Sequence, residues 1–187
     1  MRIISGKYKG RKIELLKEAE KRIRPTSDFA REAIFNILTH GDIGKKYSFV
    51  GKNVLDMFCG TGAFGIEALS RGAGEVTFVD ESREAINNAR HNVKLIGELE
   101  NVDFVQASAE RIGQARNSYS LIFLDPPYFK NMIPQALMAL YNGGWVSDNS
   151  LLVIERDDKE KVKIPDIFEV LDKRKYGRAA VELLKLV

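Results

Sequence analysis

From residue 53 onward the apolar positions fall into short continuous runs separated by helical stripes. Runs at 54–58, 76–79, 102–105, 119–124 and 151–155 have the length of buried strands. Between them, 63–71 reads as a helix stopped by Gly72. Ser82 can cap a second helix whose Ala85, Ile86, Ala89, Val93 and Ile96 share a face, with Gly97 after it. A third stripe covers 133–141, and 168–174 with 179–186 predicts a terminal antiparallel hairpin around Tyr176-Gly177. Strands alternating with helices of this length predict an α/β fold, a parallel sheet covered on both faces, with ligands at the carboxyl ends of the strands.

The first 40 residues follow a different pattern. Residues 2–4 and 11–16 predict two short strands around a turn flanked by Gly6 and Gly10. Arg24-Pro25-Thr26-Ser27-Asp28 is a helix-start signal, after which Ala30, Ala33, Ile34, Ile37 and Leu38 form one stripe that Gly41 ends. The expected organisation is an N-terminal hairpin and helix, 1–40, followed by a catalytic domain, 41–187.

Charge sharpens that division. Residues 1–31 carry ten basic and four acidic side chains, a local charge of +6 that leaves −3 for 32–187. A basic arm on a near-neutral body is a footprint for a polyanion, or simply a solvated surface hairpin. The remaining composition, 44% hydrophobic and 29% charged in 187 residues, suits a soluble domain with a full core. No apolar run is long enough to span a bilayer, and the N-terminus lacks the apolar stretch of a secretory signal. One cysteine excludes an internal disulfide framework, and two distant histidines, His40 and His91, give no metal-ligand spacing. The expectation is a cytoplasmic protein without a metal.

Two segments carry chemistry. In Asp56-Met57-Phe58-Cys59-Gly60-Thr61-Gly62-Ala63-Phe64-Gly65, three glycines form G-x-G-x-x-G between a strand and a helix. Glycine there permits close backbone approach to a ligand at a helix N-terminus. Asp80, at the end of the next strand, can accept both hydroxyls of a ribose diol. Together these point to an adenosine-type cofactor without saying which, and a plain strand–helix turn is the alternative. Asp56 narrows the choice, because an anion beside a pyrophosphate gains nothing, whereas a methionine-derived cofactor brings an α-ammonium group. Asp56 can help to hold that group directly or through the neighbouring backbone. An NAD(P)-binding protein also lacks support from any hydride-transfer His or Tyr–Lys arrangement. Cys59 reads as a packing residue, since no base accompanies it.

The second segment is Asp125-Pro126-Pro127-Tyr128, directly after a strand. Two prolines cannot continue the ladder and stiffen the exit from the sheet. Asp125 and the Pro126 carbonyl can accept the two N–H bonds of a base amino group, and Tyr128 offers a face for stacking.

This corner resembles the D/N-P-P-Y motif of amino-directed methyltransferases of the seven-stranded Rossmann-like class. The wider match, in Arg2-Ile3-Ile4-Ser5-Gly6, Gly10-Arg11, Arg24 to Asp28, Arg31 to Asn36 and Gly62 to Gly72, resembles the RsmD family. The resemblance implies S-adenosylmethionine as donor, S-adenosylhomocysteine as product, and guanine N2 in 16S ribosomal RNA as target. An assembled or assembling small subunit is the implied partner, with a monomeric enzyme. Another nucleic-acid amino methyltransferase, acting on adenine N6 of DNA or RNA, is the alternative. The donor set is Asp56, Cys59, Gly60, Thr61, Gly62, Phe64, Asp80, Ser108 and Ala109. The catalytic set is Asp125, Pro126, Pro127 and Tyr128, and the RNA set Lys7, Lys9, Arg11, Arg24, Thr26 and Arg31. Two departures stand out: Phe29-Ala30 replaces the more usual Arg and aliphatic residue, and Ser108 stands where an acidic adenine contact is common.

Overall fold

The computed structural model describes residues 1–20, 28–40 and 47–187. Seven strands form one sheet: β1 (Asn53–Met57), β2 (Glu75–Asp80), β3 (Val102–Gln106), β4 (Leu121–Leu124), β5 (Leu151–Asp157), β6 (Phe168–Tyr176) and β7 (Ala179–Leu186). Their order is β3-β2-β1-β4-β5-β7-β6, and β7 alone runs against the rest. The order reverses direction between β1 and β4, the switch point where open α/β sheets leave a crevice.

Strand alternation sorts the core into two layers. Val54, Val76, Phe78, Leu121, Phe123 and Val153 face α1 (Asp28–His40), α2 (Ala63–Ser70) and α3 (Arg83–Ile96). Leu55, Met57, Val79, Ile122, Leu124 and Ile154 face α4 (Ile133–Asn142). The predicted caps of α3 are in place: Ser82 Oγ accepts from Ala85 N–H at 3.2 Å, and Gly97 closes the helix at φ 79°.

The N-terminal arm closes as the predicted hairpin, though a very short one: an antiparallel bridge joins Arg2 to Lys12, Ile3 N–H donates to the Arg11 carbonyl at 2.9 Å, Gly10 N–H to the Ile3 carbonyl at 2.8 Å and Ile13 N–H to the Met1 carbonyl at 3.0 Å. The arm also docks on helices. Glu67 of α2, fully buried, accepts from Ile4 N–H at 2.7 Å and Ser5 N–H at 3.0 Å while pairing with Arg71 at 2.9 Å. Ser70 Oγ accepts from Tyr8 N–H at 3.0 Å and donates to the Ser5 carbonyl at 2.5 Å. Gly6, at φ 83°, sits so close that a Cβ would lie 1.8 Å from the Ser70 carbonyl oxygen. The arm's Ile3, Tyr8 and Ile13 join the same core cluster as α1, α2 and α3.

Candidate active site

The register brings four carboxylates to one end and one face of the sheet. Met57 is level with Val79 and Leu124, and Leu124 with Ile154, so Asp80, Asp125 and Glu155 leave three neighbouring strands at one height around β1. Alternation turns Asp56, Asp80, Asp125 and Glu155 toward the α1–α2–α3 layer. The glycine turn and the proline corner follow adjacent parallel strands, which stand about 5 Å apart. Backbone strain gathers at both corners. Among the described residues, the non-glycine positions at positive φ are Phe58 (63°), after β1, and Phe129 (60°) and Asn131 (51°), after Tyr128. Such conformations cost about 1–3 kcal/mol each and persist where the surroundings hold them.

Asp56 is 1% exposed, and its Oδ2 accepts from Gly65 N–H, in the first turn of α2, at 2.8 Å. Burial drives its pKa well above the usual carboxylate range, the Gly65 bond opposes this, and the charges of Asp125 and Asp80 raise it further. Asp80 is raised too, chiefly by burial, although it accepts from Ser82 N–H at 2.9 Å and Gly60 N–H at 3.1 Å. The carboxylates therefore repel one another in a partly dry crevice. A cationic ligand would relieve that repulsion.

The glycines divide their work. A Cβ on Gly65 would lie 2.4 Å from the Phe78 ring, and one on Gly62 (φ 78°) would lie 3.1 Å from Phe78 and Ala89. Close packing of α2 against β2 and α3 therefore requires them as much as any ligand does. The first turn of α2 leaves backbone N–H groups without intrahelical acceptors at this end of the sheet. Beside it, Met57, Phe58, Asp80, Ala107 and Ala109 line a small depression. Ser108 caps the 3₁₀ turn Ala109–Arg111 without a side-chain cap bond, and Ala109 is buried. Thr61 and Cys59 are buried in the turn, and burial, with the charges of Asp56 and Asp80, pushes the Cys59 thiol well up. Phe64 corrects the expectation. Its ring stacks on Phe123 at 4.9 Å inside the core, leaving only its backbone for a ligand.

At the second corner Pro126 is buried, Pro127 exposed, and Asp125 and Tyr128 half-buried. Tyr128 Oη donates to Glu155 Oε1 at 3.2 Å, which orients the ring beside Asp125. A larger groove of about 530 Å³ lies between α1 and β6, but it shares no residue with either motif.

A family model described as conserved hypothetical protein 95 matches residues 1–185. The chain is 33% identical over 159 residues to ribosomal RNA small subunit methyltransferase D of Buchnera aphidicola, covering 84% of this chain and 76% of that one. The chain belongs to the RsmD family. Its counterpart of the same name in Haemophilus influenzae is 29% identical over 188 residues, 98% of this chain and 92% of that one. The solved structure of YhhF from Escherichia coli superposes with a TM-score of 0.83 at 27% identity, over 100% of this chain and 97% of that one.

Within this RsmD-family fold the expected RNA residues scatter. Arg24 and Thr26 lie outside the described residues. Arg31 is fully buried, with its guanidinium donating to the Arg2 carbonyl at 2.5 Å and to Met1 Sδ at 3.1 Å, so it ties the arm to α1 rather than meeting a surface phosphate. Lys7, Lys9 and Arg11 are exposed but sit at the carboxyl ends of α2 and α3, where Lys7 pairs with Glu98 at 3.0 Å and Arg11 donates to the Leu95 carbonyl at 3.1 Å. That is the end of the sheet where β1 begins, as the bond from Gly51 N–H to the Gly72 carbonyl shows. They therefore stand about 15 Å from the carboxylates, the length of a five-residue strand.

The sequence reading missed another set. Asp157 pairs with Ala179, which puts the β6–β7 turn, with Arg174, Lys175 and Arg178, at the carboxylate end. These cations are exposed, each beside one acid: Asp172, Asp158 and Asp157 respectively. Their run in the sequence was visible; only the reversed direction of β7 brings them to the cleft. Asn88 and Asn92 were missed as well, although two asparagines on the apolar face of α3 were a signal.

Proposed function

We propose that this RsmD-family chain transfers a methyl group from S-adenosylmethionine to the exocyclic N2 of a guanine in small-subunit (16S) ribosomal RNA. The methyltransferase names of the relatives support the reaction class and the rRNA substrate. The observation that carries the reading is the adjacency of the glycine turn and the Asp125 corner around mutually repelling carboxylates.

The residues present fit this donor. Its α-ammonium and sulfonium charges answer the excess of carboxylate, and its ribose diol suits Asp80, which Ala107 and Ala109 border. S-Adenosylmethionine supplies a methyl group already activated for displacement, so the protein's contribution is chiefly alignment, which reaches about 7–11 kcal/mol at best. Asp125 and the Pro126 carbonyl accept the two N–H bonds of the amine, point its lone pair at the donor and favour the positive charge that grows on nitrogen. The proton then leaves to water. Tyr128, steadied by Glu155, stacks on the base, with exposed Phe129 beside it as a second apolar face. Such a target must be unstacked, in a loop or single strand.

The setting we propose is a monomer in the cytoplasm, acting without a metal on an assembled or assembling small subunit. Lys7, Lys9 and Arg11 would then anchor RNA remote from the modified base. The test is incubation with labelled donor and undermethylated small subunits, then mapping of the label. Label on a guanine N2 supports the proposal; label on adenine N6 moves the enzyme to the alternative substrate, and no transfer overturns it.

A further inference from the structure

Residues 13–16 leave the N-terminal hairpin outside any helix or strand, and after Ile13 N–H, which donates to the Met1 carbonyl at 3.0 Å, no further bond to the other arm of the hairpin follows among the described residues. Half-buried backbone of this kind finds its partners elsewhere. Two asparagines one turn apart on α3, both buried, supply them. Asn92 Oδ1 accepts from Glu14 N–H at 2.9 Å, and its Nδ2 donates back to the Glu14 carbonyl at 2.9 Å. Asn88 Oδ1 accepts from Leu16 N–H at 2.8 Å, and its Nδ2 also donates to the Glu14 carbonyl at 2.9 Å. The pair imitates the edge of a strand and holds the strap against α3.

Only one of the two reaches further. The second N–H of Asn92 Nδ2 donates to the carbonyl of Thr61, inside the glycine turn, at 2.9 Å. A single amide thus joins the strap to the backbone of the turn assigned to the donor. An amide offers two donors, and both are committed here, one on each side. Displacing either carbonyl leaves a buried polar group without its partner, so the two segments are held in register by a cost that falls on both.

We propose that Asn92 is a positioning residue that couples the order of the 13–16 strap to occupancy of the donor turn. This rests on the donor reading above and goes beyond it, because it makes donor binding and docking of the N-terminal arm reciprocal. Donor binding tightens the strap through Asn92, and loss of the Asn92 bridge weakens the donor.

The experiment compares hydrogen exchange at the Glu14 and Leu16 amides, with and without S-adenosylhomocysteine, and measures the affinity of that ligand by calorimetry. In the wild-type chain the ligand should slow exchange at both amides. Asn92→Ala should bind it roughly 5-fold or more weakly, within the ordinary range of coupling between sites, and lose the ligand-dependent slowing. Asn88→Ala, which loosens the strap without touching Thr61, should stay within about 2-fold of wild type, the size of an ordinary local perturbation. Wild-type binding with unchanged strap exchange overturns the coupling, whether or not either variant folds. So does equal weakening by both variants, which would assign the effect to the strap as a whole. Failure of the wild-type chain to bind S-adenosylhomocysteine would instead remove the donor reading itself.

Discussion

Replacing Asp56 with Asn separates two roles that the carboxylate combines. Asparagine has nearly the same shape, and its amide oxygen can still accept from Gly65 N–H, so the turn is kept. The negative charge is lost. In the empty protein that loss should help, because burial and the neighbouring Asp125 and Asp80 hold the Asp56 pKa well above 3.8. Between the unfolded value and the raised folded value the native state binds the extra proton, so stability falls as pH rises through that window. Asp56→Asn removes this loss, and the empty variant should melt higher than wild type at neutral pH and show less decline from acid to neutral pH. In a chain of this size each kcal/mol regained is worth about 2–4 °C. Donor affinity should move the other way. A hydrogen bond or contact to a charged group is worth about 1.5–3 kcal/mol, which corresponds to a dissociation constant roughly 10- to 150-fold higher. Thermal melts across pH and calorimetry with S-adenosylhomocysteine measure both halves. A variant that melts lower yet binds the ligand normally would show that Asp56 serves the turn alone.

Glu67→Ala removes the acceptor for Ile4 and Ser5 and strands Arg71, so it should lower stability by about 3–5 kcal/mol in urea denaturation. A loss under 1 kcal/mol, the scale of an exposed pair, would deny the arm its docking role. Replacing Lys7, Lys9 and Arg11 together should weaken RNA binding and reduce the slope of affinity against salt by as much as roughly 3, while the rate with saturating substrate holds. An unchanged slope would move the RNA contact elsewhere. Replacing Lys175 and Arg178, exposed at the carboxylate end, should also reduce RNA affinity. Equal affinity for RNA with and without these two would leave that turn outside the interface.

The periodic elements were readable because their cause is local. The caps of α3, the buried runs of β1, β2 and β4, and the terminal hairpin follow from residues within a few positions of one another. The meeting of the two motifs at one end of the sheet was readable too, since it needed only the rule that neighbouring parallel strands end together. Misreadings came where a distant partner decides. The arm's hairpin pairing, Ile3 with Arg11 and Met1 with Ile13, was legible, but its docking on Glu67 and Ser70 of α2 and the asparagines of α3 was not. Arg31 reads as a surface cation, yet the carbonyl of Arg2 and the sulfur of Met1 draw it inside. Phe64 sits in the motif, yet Phe123 claims its ring. Lys7, Lys9 and Arg11 were recognised as a cluster, but only the docked arm reveals that they face away from the carboxylates.

The central claim is that Asp125 grips the acceptor amine while the neighbouring turn holds the donor. Single-turnover methyl transfer by Asp125→Ala, paired with its calorimetric affinity for S-adenosylhomocysteine, tests this most directly. The account predicts that transfer is abolished while ligand affinity stays within a few-fold of wild type. Transfer at the wild-type rate would contradict it.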